Sequence, residues 1–172
     1  GTIEPRKNLG RLLTAFEVLQ ADGLTDGLVI VGRRGWLTDA FFAQLERSPA
    51  RDAVIFPGYV PDPDLPAIYA GAQALVFPSL YEGFGLPVLE AMACDTPVVT
   101  SRTSSIPEVG GDAALYFDPE DGDEILAQIR RVLSDPALSA ELRSQGLAQA
   151  DRFSWARTAA QTQSVYNSIL QP

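Results

Sequence analysis

From residue 8 onward, apolar and polar positions follow two alternating rhythms. In "NLGRLLTAFEVLQAD" the apolar residues fall at 9, 12, 13, 16 and 19, which predicts a helix with Asn8 as its N-cap. "GLVIVG" is a short β-rich run closed by glycine, and "WLTDAFFAQLERS" returns to helical spacing. "DAVIFPG", "QALVFPS", "TPVVTS" and "ALYFDP" are further short apolar runs. Between them lie "DPDLPAIYAGA", with Asp62 or Asp64 as cap, the helix "LPVLEAMAC" and the short helical turn "SIPEVGG". "DGDEILAQIRRVLSD" opens on acidic caps, and "PALSAELRSQGLAQADR" and "SWARTAAQTQSVYNSILQ" close the chain as helices. Five nearly all-apolar strands separated by helices predict an α/β fold. Its parallel sheet is buried on both faces and doubly wound, Rossmann-like, with C-terminal helices. No repeat or interior linker divides residues 1–172, which read as one domain.

Composition narrows the chemistry. The chain has 172 residues, 46% of them apolar, and a net charge of −9. That supports a sizeable core and argues against broad nucleic-acid binding. Histidine is absent, which removes the usual neutral-pH base and the commonest metal ligand. Cys94 is the single cysteine, expected at a buried helix end, and its isolation fits a reducing compartment. No apolar run reaches the roughly 18 residues of a membrane span.

In open α/β sheets, ligands sit at the carboxyl ends of strands. After "ALVFP" comes "SLYEGFGLPVLE". Gly83 and Gly85 let backbone approach a ligand, and a helix starting near Leu86 offers an anion site. Glu90, one turn in, suits a pair of vicinal hydroxyls such as those of a ribose, and Glu82 suits another polyol. The plain alternative is a glycine-rich turn with two solvated glutamates. Arg6 and Lys7 in "EPRKN" sit at a helix start where acids are expected, so an anion should neutralise both. The alternative is a solvated basic turn, weakened because Lys7 is the only lysine. Tyr59 and Val60 lie on a loop just past a strand, where they can flank a nucleobase. "DPD" at 62–64 reads as helix-start chemistry rather than a metal site, and "GRRG" at 32–35 resembles a phosphate loop only faintly. Ser101, Thr103, Ser104 and Ser105 either cap the short helix, the favoured reading, or line the cleft. Glu108 caps or braces that loop.

At these residues a family resemblance appears. "GTIEPRKNL", the stretch from "FPGYVPDPD" through "SLYEGFGLPVLEAMACDTPVV", and "SSIPEVGGDAALYFDP" resemble the C-terminal domain of retaining glycosyltransferase family 4. The resemblance runs to about residue 155 and implies the C-terminal half of a GT-B fold. It implies that Glu90 binds the donor ribose, that Glu82 contacts the donor sugar near its anomeric centre, and that Lys7 binds the diphosphate. Backbone amides of Phe84, Gly85 and Leu86 would meet the sugar hydroxyls and diphosphate, and Tyr59 and Val60 the base. Glu82 and Lys7 are thus the candidate catalytic residues, with no metal or cofactor and no covalent nucleophile. "GTIEPRKN" is similar to bacterial mannosyl- and related transferases of surface polysaccharide, which points to GDP-mannose rather than a UDP- or ADP-sugar.

The resemblance also has departures. Family members often carry an arginine where this chain has Thr2, so either Arg6 substitutes or the second phosphate cation is absent. The family's N-terminal acceptor domain and most of its first strand would precede Gly1, and loss of that strand would expose a cleft in the sheet. Trp155, Tyr166 and Leu170 would face the missing domain. The expectation is a cytoplasmic donor-binding half, inactive in transfer alone, with any contact with the inner membrane face made through the other half. An inactive nucleotide-binding module of the same fold is the alternative. An epimerase would want histidines and further carboxylates, and a phosphorylase a lysine placed for pyridoxal phosphate.

Overall fold

The computed structural model describes residues 1–170. Helices α1 (Leu9–Ala21), α2 (Asp39–Glu46), α3 (Leu65–Gly71), α4 (Leu86–Ala93) and α5 (Ile106–Gly110) alternate with five strands. These are β1 (Leu28–Val31), β2 (Val54–Gly58), β3 (Leu75–Phe77), β4 (Val98–Ser101) and β5 (Ala114–Phe117). Three helices follow: α6 (Gly122–Ser134), α7 (Pro136–Ala150) and α8 (Trp155–Leu170). Gln171, the last residue expected in the closing helix, lies outside the described residues.

All strand pairs are parallel, but they form two groups: β1 with β2, and β3 with β4 and β5. Successive side chains of a strand point to opposite faces. Val99 accordingly packs with Leu12, Leu19, Phe117, Ile125 and Ile129 beneath α1 and α6, whereas Val98 packs with Val88, Met92 and Val109 beneath α4 and α5. Burial on both faces explains why β4 shows no polar alternation. A third cluster joins Leu13 and Phe16 of α1 to Leu45 of α2.

Between β1 and β3 the sheet is open. A cavity of about 1210 Å³ runs along both strands, with Leu12 and Phe16 of α1 as its floor. Residues 1–3 enter its upper end. Gly1 N donates to Val31 O at 3.0 Å, and Ile3 forms a parallel bridge with Arg34. The cleft anticipated in the sheet is therefore present, and its lining reaches the carboxyl ends of β1 and β3 at Gly32, Arg33, Pro78 and Ser79.

Several local expectations are corrected. Asn8 does not cap α1 through its side chain: it is left-handed (φ 57°), donates Nδ2 to Pro119 O at 2.7 Å and accepts from Arg11 at 3.0 Å. It ties the 5–7 turn to the loop after β5. Asp62 and Asp64 make no capping hydrogen bond, and residues 62–64 form a tight 3-10 turn instead. The helix expected from Trp36 begins only at Asp39, because Leu37 is left-handed (φ 52°). Asp121 does cap α6, accepting from Asp123 N and Glu124 N at 3.0 Å each. Cys94 sits at the end of α4, partly buried. Trp155, Tyr166 and Leu170 of α8 are exposed. Among the described residues, no helix is long and apolar enough to cross a membrane.

Candidate functional site

The turn Pro5–Lys7 packs against the loop between β3 and α4, where Leu80 N donates to Arg6 O at 2.8 Å. This contact brings residues 75 positions apart into one charge cluster. Lys7 Nζ lies 2.6 Å from Glu82 Oε1, and Arg6 Nη1 lies 2.8 Å from Glu82 Oε2. Arg6 Nε reaches Glu4 Oε1 at 2.5 Å and Arg6 Nη1 donates to Tyr81 O. The anion that two cations at a helix start demanded is thus Glu82, with Glu4 as a second partner for Arg6. Glu82 is buried, not solvated, which sets aside the plain surface-turn reading for it.

Burial pushes the Glu82 carboxyl up, but hydrogen bonds from Lys7 and Arg6 outweigh it and hold the group below the usual carboxylate range. A depressed folded-state pKa contributes stability above the unfolded value of about 4.3, and that contribution is lost as pH falls through the folded value. Glu82→Gln therefore lowers the thermal midpoint at pH 7, and the gap to wild type closes on acidification below about pH 4. Melting curves at pH 7, 5 and 3.5 check this. A gap of constant size would show that Glu82 is not held ionised by its partners.

Lys7 lines the cleft with its ammonium over the Phe77 ring (4.9 Å), and of its three N–H donors one is spent on Glu82. Gly85 (φ 100°) turns the chain into α4 in a conformation that side chains disfavour. Val88 N bonds Gly85 O and Pro87 has no N–H, so the amides of Gly85 and Leu86 are left over at this helix start. Glu90, one turn on, is exposed and lines the cleft together with Lys7. Its Oε2 accepts from Tyr69 Oη at 2.8 Å, leaving Oε1 open. Burial, with the neighbouring carboxylate, raises the Tyr69 phenol above its ordinary value, so it stays a donor. Tyr59 and Val60, on the turn after β2, complete the rim, with Tyr59 exposed.

The serines of the loop after β4 do not cap α5 and do not face the cleft. Ser104 Oγ accepts from Glu82 N at 3.0 Å, while Ser105 Oγ lies 3.1 Å from Glu82 O and 3.0 Å from Phe84 O. Ser101 Oγ donates to Ser79 O at 2.7 Å. Together they clamp residues 79–84, and the Phe84 ring braces edge-on against Phe153. Glu108 is exposed in the first turn of α5. This clamp and Tyr69 were missed by sequence reasoning. The serine cluster was its only signal, and which backbone it would bind is a long-range fact.

A family described as glycosyl transferases group 1 matches residues 1–149. The chain belongs to that family. It is 46% identical to O-antigen chain mannosyltransferase B of Escherichia coli, over 98% of this chain and 45% of that protein. To the MMP alpha-(1->4)-mannosyltransferase of Mycolicibacterium hassiacum it is 42% identical, over 63% of this chain and 28% of that protein. Among solved structures, a sucrose-phosphate synthase from Thermosynechococcus elongatus superposes with a TM-score of 0.86 at 27% identity, covering 96% of this chain and 43% of that one. This group 1 chain thus spans less than half the length of these relatives. Its α/β architecture is that of the C-terminal half of a GT-B glycosyltransferase.

Proposed function

We propose that the cleft binds a nucleoside-diphosphate sugar and that the whole protein is a retaining hexosyltransferase, moving that sugar to a glycan or lipid-linked acceptor. One observation carries the reading: Lys7, the only lysine, and the start of α4 open onto one cleft with Glu90 a turn away. The diphosphate lies on the two spare Lys7 donors and the amides of Gly85 and Leu86, with Phe84 N beside them. The ribose hydroxyls meet Glu90 Oε1, and the base lies against Tyr59 and Val60. When the glycosidic bond breaks, negative charge grows on the departing diphosphate, and these fixed donors stabilise it where it develops. The reading gives that task to Lys7 and the helix start, with no metal or cofactor. Glu82 has both oxygens on cations and holds Lys7 and Arg6 in place, while its remaining lone pairs face the sugar. Substitution on one face, without a covalent intermediate, fits a site in which no further nucleophile is assigned.

The acceptor belongs to a second domain, and transfer needs both reactants positioned across the cleft between domains. Relatives named as mannosyltransferases favour mannose as the sugar, and GDP-mannose is the donor we assign. The protein is assigned to the cytoplasm, with any membrane contact made outside this domain.

Calorimetric titration with GDP tests the ribose assignment. Glu90→Ala is expected to bind GDP about tenfold more weakly, the scale of one hydrogen bond to a charged group. For 2′,3′-dideoxy-GDP the two proteins should be equal. Unchanged GDP affinity in Glu90→Ala would remove Glu90 from the donor site.

A further inference from the structure

We propose that Arg33, stacked on Tyr59, selects the nucleobase of the donor and that it selects guanine; this rests on the donor-binding reading above. The β1–β2 register pairs Val31 with Gly58, and Gly32 N donates to Gly58 O at 2.9 Å. The turns that follow the two strands therefore emerge side by side at the carboxyl edge of the sheet. There the Arg33 guanidinium carbon lies 4.9 Å from the centroid of the Tyr59 ring. Both residues line the cleft that holds Lys7 and Glu90.

The neighbouring arginine shows what an ordinary structural role looks like on this turn. Arg34 donates to Thr38 Oγ1 at 3.0 Å and to Asp39 Oδ1 at 2.6 Å, and its guanidinium packs over Phe42. The Arg33 guanidinium has no hydrogen bond or ion pair with any described residue, although the chain is acidic throughout. Its donors carry no partner among the described residues, and the guanidinium rests over the Tyr59 ring at the edge of the cleft.

A planar fork of N–H donors matches two acceptors side by side on a flat edge. Guanine presents O6 and N7 in that way. Adenine sets an N6 donor beside N7, and uracil sets the N3–H beside O4, so each turns one donor against the fork. Contact with the Tyr59 ring restrains the fork and reduces the ordering that binding requires. Arg33 is thus a specificity-determining residue whose effect depends on the base and not on the diphosphate.

The test is titration of the protein and its Arg33→Met variant with GDP, 7-deaza-GDP, ADP and UDP. Methionine keeps the apolar stem and removes every donor, and Arg33 is exposed, so the melting temperature should be unchanged. Wild type is expected to bind GDP about tenfold more tightly than ADP, UDP or 7-deaza-GDP, and Arg33→Met to lose that advantage while holding ADP and UDP as before. Equal weakening of all nucleotides would make Arg33 a phosphate cation and overturn the proposal. So would a wild-type preference for UDP or ADP, or unchanged GDP affinity in the variant. If wild type binds no nucleotide even at millimolar ligand, the donor-binding reading itself falls, and this proposal falls with it.

Discussion

Lys7→Met is expected to lower sugar transfer by the full protein by a factor of about 10²–10³, the scale of removing one donor aimed at developing charge. The loss should lie mainly in kcat, because the charge on the diphosphate grows on the way to the transition state. A structural effect accompanies it. Glu82 is buried and keeps only Arg6 once Lys7 is gone, at a cost of about 1–3 kcal/mol. The two effects separate in the double variant Lys7→Met/Glu82→Gln. Removing the uncompensated carboxylate restores part of the stability lost in Lys7→Met, while transfer stays low. Thermal unfolding and steady-state kinetics on the single and double variants check this. Transfer that recovers along with stability would reduce Lys7 to a counter-ion for Glu82.

Gly32→Ala is expected to destabilise the fold by about 2–4 kcal/mol. A Cβ at Gly32 would stand 1.5 Å from Gly1 O, and the residue has φ 144°. The overlapping atom is backbone, so the 1–3 segment must leave the end of β1 and take the Lys7 turn with it. Gly58→Ala is the control. Gly58 also has positive φ (76°), but nothing lies within 4 Å of its Cβ position. It should cost only the conformational penalty, about 1 kcal/mol. Chemical denaturation of the two variants measures the difference, and equal losses would mean that the segment is not anchored at Gly32.

β4 was legible because burial on both faces leaves no polar alternation: all four of its residues, Val98–Ser101, are buried. β1 and β2 are just as apolar in sequence, yet Val29 and Ile55 are exposed, so burial on both faces does not hold for that pair. The helices were legible by period, and α6 also by its acidic start. End chemistry was less legible. Asn8 has the composition of a cap, but its side chain bonds Pro119 O, 111 residues away, and nothing local announces that. Ser104 and Ser105 were misread for the same reason, since their partners lie on the 82–84 loop. Lys7 and Glu90, both singled out in the sequence, line one cleft, while Glu82 is buried beside it and bonds Lys7. That Glu82 itself neutralises Lys7 and Arg6 was not readable, because pairing across 75 positions depends on how β3 and the 5–7 turn pack. In "GRRG", Arg33 and Arg34 are identical in type and adjacent. Both rest over an aromatic ring, and only the fold gives Arg34 the partners Thr38 and Asp39 while Arg33 has none among the described residues.

The measurement that tests the central claim most directly is a crystal structure of the protein with GDP-mannose bound. The account predicts the diphosphate at the start of α4 within hydrogen-bond reach of Lys7 Nζ, the ribose hydroxyls on Glu90 and the base against Tyr59. A donor bound elsewhere, or one whose diphosphate touches neither Lys7 nor the amides of Gly85 and Leu86, would contradict it.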